Sequence, residues 1–243
     1  MLGSVFKLSA LKISGLLTLL SAPVAACDLA LALAVDVSGS VDPAEYRIQM
    51  DGLALGLRDG IVADALVRAN AAVMLVQWSG ESRQVTTIPW TRLSSFDDVA
   101  ALADRVSLDR RMWRNYSTAI GDALHHTLGE FASVTDCKRR VIDVSGDGVS
   151  NEGRAPIQLR AALRRADVTV NALVIETDKD VDLTGYFWEN VITGEGAFVV
   201  TANGFADYPQ RIRQKLIRET TRQLATLKRF EKNVNHGFLS KRP

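Results

Sequence analysis

The sequence predicts an α/β domain with a doubly wound, mostly parallel six-stranded sheet, one antiparallel edge strand and helices on both faces. Three observations carry this. Short apolar runs without alternation recur along the chain, as strands covered on both faces require. Segments with helical periodicity separate most of them, which implies crossover connections. The chain has 243 residues, 47% hydrophobic and 23% charged, enough for one sizeable core.

Leu29 to Val35 is an unbroken apolar run ending at Asp36, the first strand. Asp42-Pro43-Ala44-Glu45 supplies an N-cap, a proline at the first helical position and an acidic first turn, so a helix runs to about Arg58. Ile61 to Arg68 reads as a short helix and Ala71 to Trp78 as the second strand. Gln84 to Ile88 is a third strand, antiparallel and at an edge. The connection Ser79-Gly80-Glu81-Ser82 is too short for a crossover, and Pro89 suits an edge. Ser94 or Ser95 caps a helix over 96–105, and Thr118 to Phe131 forms another, with Ile120, Leu124, Leu128 and Phe131 on one face. Arg140 to Val144 is the fourth strand, leading into Ser145-Gly146-Asp147-Gly148. A helix over 156–166 and the strand Val168 to Ile175 follow, then a short helix from Leu183 to Ile192, the strand Ala197 to Val200 and a helix from Ala206 to Leu224.

The chain ends differ from this body. Lys7 and Lys12 precede the apolar run Ile13 to Leu20 and the small residues before Cys27, the pattern of a cleavable export signal over 1–26. Residues 225–243 read as a basic, flexible tail: from Phe205 onward ten Lys/Arg face three acids, whereas residues 27–204 carry a net charge of −8. An acidic body and a pI near 7.8 argue against a nucleic-acid partner. The organisation is thus a signal peptide (1–26), one domain (27–224) and a tail (225–243), in a protein exported to the periplasm or beyond.

The chain has two cysteines. Cys27 lies nine residues before Asp36 and Cys137 ten before Asp147. If those aspartates end neighbouring parallel strands, the cysteines sit side by side at the strand starts, close enough for a disulfide in an oxidising compartment. Val24-Ala25-Ala26-Cys27 also approaches a bacterial lipoprotein box, so acylation of Cys27 is the alternative, and only that would bring membrane contact; two free thiols are the third reading.

In doubly wound sheets, sites form beyond the carboxyl ends of the strands. That rule directs attention to Asp36-Val37-Ser38-Gly39-Ser40 and to Asp147-Gly148. A carboxylate and two hydroxyls at spacing two are hard oxygen donors suited to Mg²⁺, Mn²⁺ or Ca²⁺. With Thr118 placed ahead of Ala123-Leu124, the pattern resembles the von Willebrand factor type A domain family over residues 28 to 224. The phrases Leu33 to Val41 and Arg140 to Gly148 resemble a bacterial group of secreted proteins with this fold and no assigned function. The resemblance implies a metal-ion-dependent adhesion site of Asp36, Ser38, Ser40, Thr118 and Asp147. One coordination position would be left for a carboxylate from a partner. Two departures stand out: Tyr116-Ser117 replaces the usual Gly-Gly, narrowing access, and Gly146 precedes Asp147 where Thr is common.

The expected function is therefore an exported, metal-dependent adhesion module without catalysis, binding an exposed Asp or Glu of a protein. Trp113, Arg114 and Tyr116 are candidates for a partner-facing rim, with Arg110 and Arg111 in the same loop. The competing readings are a metal-assisted hydrolase using Asp36 and Asp147, and a structural domain with a vacant site. The hydrolase is disfavoured by the absence of a Gly-x-Ser-x-Gly elbow or a His near Ser38 in sequence. Asp143, inside the fourth strand, reads as a structural carboxylate bonded to a neighbouring strand or an arginine.

Overall fold

The computed structural model describes residues 26–177 and 180–221. The expected signal peptide and the basic tail lie outside the described residues. The six strands are β1 (Leu29–Asp36), β2 (Ala71–Trp78), β3 (Gln84–Leu93), β4 (Arg139–Gly146), β5 (Val168–Ile175) and β6 (Val199–Ala202). The helices are α1 (Pro43–Leu57), α2 (Gly60–Arg68), α3 (Phe96–Leu108), α4 (Ile120–Glu130), α5 (Arg160–Arg165), α6 (Leu183–Asn190) and α7 (208–221). The sheet order is β3-β2-β1-β4-β5-β6, with only the β2–β3 pair antiparallel.

β1 is buried along its whole length, which is why its sequence shows no alternation. Leu29, Leu31, Leu33 and Val35 face one core with residues of α1, α2, α3 and α7. Ala30, Ala32 and Ala34 face the other, with Ile120 and Leu124 of α4, Leu163 of α5 and Phe187 of α6. After β1 the chain builds β2 on one side and later β4 on the other, so the direction of winding reverses at the β1–β4 pair. This is the switch point at which such sheets hold their ligands.

Cys27 and Cys137 form a disulfide with their Cα atoms 4.4 Å apart. The β1–β4 register pairs Leu29 with Arg139 and Val35 with Ser145, a constant offset that places the cysteines level with each other. The one-residue mismatch falls at the other end, where Asp36 is level with Gly146 and Asp147 lies one step beyond. In the chain-entropy account, a bond across a sequence separation of 110 contributes roughly 4–5 kcal/mol.

Several boundaries differ from the sequence reading. β3 does not stop before Pro89 but continues to Leu93, because the β2–β3 register shifts between Val73 and Leu75 and the proline falls within that irregularity. α4 starts at Ile120, and its N-cap residue, Ala119, has no side-chain acceptor to cap it. Thr118 therefore precedes the helix rather than opening it. The segment from Pro156 begins as one tight turn over Pro156–Leu159 before α5, and Phe205–Asp207 forms a similar turn before α7.

Candidate metal centre

Asp36 ends β1 fully buried. Its Oδ1 accepts the Ser38 N–H at 2.7 Å, while Oδ2 has no hydrogen-bond partner. Gly146 of β4 lies against that oxygen; a Cβ there would sit 3.1 Å from Oδ2. The hydroxyls of Ser38 and Ser40 are 3.2 Å apart, and Ser40 Oγ donates to Asp147 Oδ1 at 2.7 Å. Four of the expected donors thus form one run from the end of β1 to the loop after β4. The fifth, Thr118, is buried, and its Oγ1 lies 3.8 Å from where a Cβ of Gly148 would be.

The backbone of the β1 exit turn is bonded to three separate elements, α1, β2 and the α3–α4 loop. Gln49 Nε2 donates to Asp36 O at 3.3 Å and Val37 N–H donates to Trp78 O at 2.9 Å. Arg111 Nη2 donates to Val37 O and Ser38 O, and Gly39 N–H donates to Tyr116 O at 2.8 Å. Gly39 allows this close approach: a Cβ would lie a tight 3.2 Å from Tyr116 O and 3.3 Å from Asn115 Cα.

The loop after Asp147 is fastened to Thr118. Thr118 N–H donates to Asn151 Oδ1 and Asn151 N–H returns a bond to Thr118 O, both at 2.9 Å. Ser150 Oγ accepts the Ile120 N–H, and Arg154 further on pairs with Asp122 of α4. Asn151, Ser150, Gln49 and Arg111 were not singled out as organisers of the site in sequence. The pair 118/151 is separated by 33 residues, and no motif spacing connects them.

Burial, and then the charge of Asp147, push the Asp36 carboxyl up to about 8; the bonds from Ser38 oppose this. Asp147 is also raised, chiefly by burial, against the Ser40 hydroxyl and the charge of Arg111. Two carboxyls that resist ionisation, one with a buried and unanswered oxygen, constitute a deficit of positive charge. The donors available to answer it are two carboxylates and three hydroxyls, a hard set that fits Mg²⁺, Mn²⁺ or Ca²⁺. Among the described residues no group of three or more His, Cys, Asp or Glu side chains gathers as a metal cluster, here or elsewhere, so this centre depends on its hydroxyls.

Around this centre, Tyr116 is 42% exposed with the Arg83 guanidinium stacked on its ring, and Arg110 and Arg114 are exposed. Trp113 is half-buried and packs against the core, so it contributes less to an outer rim than the sequence suggests. Arg111 departs further from expectation, since it turns inward onto the β1 exit turn. Asp143 is partnered neither by a strand nor by an arginine. It meets Lys215 Nζ of α7 at 2.5 Å, and Lys215 also meets Glu219 at 2.8 Å.

This architecture is the von Willebrand factor type A fold. The chain belongs to the family described as "Protein of unknown function (DUF1194)", which matches residues 26–224. No curated protein matches it. Among solved structures, proximal thread matrix protein 1 from the mussel byssus is similar at 20% identity and TM-score 0.58, over 80% of this chain and 46% of that one. The same protein, with its MIDAS motif occupied by zinc, matches at 18% identity and TM-score 0.57, again over 80% and 46%. The pilus adhesin SpaC from Lactobacillus rhamnosus GG matches at 12% identity and TM-score 0.56, over 79% and 31%. A von Willebrand factor type A protein from Catenulispora acidiphila matches at 16% identity and TM-score 0.52, over 79% and 43%. At these identities the likeness is one of fold, and the chain spans less than half the length of each.

Proposed function

We propose that this domain is an exported interaction module that grips an acidic side chain of a protein partner through a divalent cation. The observation that carries the reading is the buried Asp36 Oδ2, without a partner, at the head of the run Ser38–Ser40–Asp147. Ser38, Ser40 and Thr118 would hold the ion through neutral hydroxyls, with Asp36 and Asp147 acting in part through water. Bound there, the ion supplies an electrophilic position for an outside carboxylate. The chain's own residues shape what reaches it: Tyr116 stands at the rim, and exposed Arg110 and Arg114 offset an otherwise acidic surface.

The relatives of similar fold support this reading, one carrying zinc in its MIDAS motif and another being a pilus adhesin. The disulfide supports export, as does the leader expected over 1–26. Among the described residues no helix is long and apolar enough to cross a membrane. Binding is favoured over nucleophilic catalysis because the Ser38 and Ser40 hydroxyls bond to each other and to Asp147, not to an imidazole.

The test is capture on the immobilised domain in millimolar Mg²⁺, followed by elution with EDTA, with Thr118→Ala alongside. A partner retained by the native chain, released by EDTA and lost with Thr118→Ala is the expected result. Equal retention in EDTA and by the variant would mean that the site is not the binding surface.

A further inference from the structure

The loop joining α3 to α4 carries three arginines, and they differ in placement. Arg110 and Arg114 are exposed. Arg111 lies folded beneath the β1 exit turn, where Nη2 donates to Ser38 O at 2.7 Å and to Val37 O at 3.0 Å. Its Nε is buried without a partner. Desolvating part of a guanidinium without a full set of acceptors is costly, so something beyond two carbonyls must favour its charge there. Burial and Arg114 work against its charge, Asp36 and Asp42 favour it, and Arg111 in turn favours the ionised form of Asp147. No acidic side chain forms an ion pair with Arg111 among the described residues. Its field therefore falls on the carboxylates of the candidate metal centre instead of being consumed in a private pair.

We infer that Arg111 is a fixed internal cation of that centre, one that supplies part of the missing positive charge when no ion is bound and weakens ion binding in return. The inference rests on the proposed metal reading and concerns Arg111 as a positioning and electrostatic residue, not a ligand. Two effects follow from one side chain. Through its two hydrogen bonds Arg111 keeps the turn in shape, so the donors stay arranged when metal-free. Through its charge it offsets the repulsion between Asp36 and Asp147, and it repels an arriving cation by the same Coulomb term. The consequence is a moderate-affinity, readily exchanging site, suited to adhesion that must let go.

The two effects are separable. Arg111→Lys keeps the charge and loses the planar fork, Arg111→Met loses both, and Arg111→Gln keeps a donor while removing the charge. Mn²⁺ alone is titrated by calorimetry into the native chain and each variant at low ionic strength, and each is melted in EDTA. The charge-free Met and Gln variants are expected to bind Mn²⁺ about threefold or more tightly than the native chain and to melt lower in EDTA. Arg111→Lys stays within about twofold of native affinity, and high salt narrows the differences. If the native chain binds Mn²⁺ but the folded charge-free variants bind it equally or more weakly, Arg111 is only a clamp on the turn and the inference is overturned. If the native chain itself binds no Mn²⁺, the metal reading fails, and this inference with it.

Discussion

Two pairs of acidic side chains lie along the same part of the sheet, and the chain treats them differently. Asp143, on β4, and Glu219, on α7, share Lys215, which contacts them at 2.5 and 2.8 Å. All three side chains are almost wholly buried, and Asn171 Nδ2 adds a further bond to Glu219. Four residues further on, just past the end of β4, Asp147 is joined to Asp36 through the Ser38 N–H and the Ser38 and Ser40 hydroxyls, with Arg111 bonded to the backbone of the turn. One pair has its cation built in at contact distance; the other has it set back. A buried carboxylate pair answered by its own lysine ties the last helix to the sheet. Asp143 Oδ2 and Glu219 Oε2 lack hydrogen-bond partners as Asp36 Oδ2 does, so what sets the strand-end pair apart among the described residues is that no lysine or arginine is paired with it; we propose that it takes a cation from outside.

Removing the built-in cation should have the largest effect. Lys215→Met leaves two carboxylates buried together and is expected to cost about 3–5 kcal/mol, read as a lower urea midpoint. A loss under about 1 kcal/mol would mean that the triad holds little of α7 and that the comparison is misplaced.

Next in size is the response to pH. The Asp36 carboxyl is pushed up to about 8 in the folded chain by burial and by Asp147. The native state therefore binds this proton more tightly than the unfolded state does. Stability from this group is fully present below the unfolded value near 4 and is lost as pH rises toward 8. Asp143, raised to about 8 by burial and by Glu219, contributes with the same sign. In EDTA stability should therefore fall steadily as pH rises across that window, followed by chemical denaturation at stepped pH. Metal should cancel the Asp36 share and leave the Asp143 share, which separates the two regions.

Asp147→Asn should stabilise the metal-free chain by about 1 kcal/mol near pH 8, since it relieves repulsion while Asn can still accept from Ser40. The same change should weaken metal binding, so stability and ion affinity move in opposite directions. Asn151→Ala removes the side-chain acceptor for Thr118 N–H and should cost about 1 kcal/mol, with a few-fold loss in Mn²⁺ affinity by calorimetry. An unchanged affinity would show that the clamp between the loops does not position Thr118.

Much of the fold was legible because β1, β2 and most of β4 and β5 are buried on both faces, so continuous apolar runs marked them directly. β1 ends at Asp36 as its run requires, and the cysteine spacing anticipated a disulfide that the β1–β4 register places level. The candidate donors were legible because strand ends gather at the switch point and because Asp-x-Ser-x-Ser is local in sequence. What escaped was long-range pairing. Lys215 reaches Asp143 from the last helix, Asn151 meets Thr118 across 33 residues, and Arg111 turns inward although its neighbours point out. None of these follows from composition or periodicity, because each is decided by packing between elements. Pro89 marked β3 as an edge strand, as found, but the strand's continuation to Leu93 was not legible, because it depends on an irregular register with β2.

The central claim is that Asp36 and Asp147 form the pair completed by an external divalent cation. Thermal unfolding in EDTA and in millimolar Mg²⁺, at pH about 6 and about 8, tests it most directly. The account predicts stabilisation of ~2.7 kcal/mol at a hundredfold excess over the dissociation constant, larger at the higher pH and absent in Asp36→Ala and Asp147→Ala. Superimposable curves with and without Mg²⁺ at both pH values would contradict it, as would an equal shift in the two alanine variants.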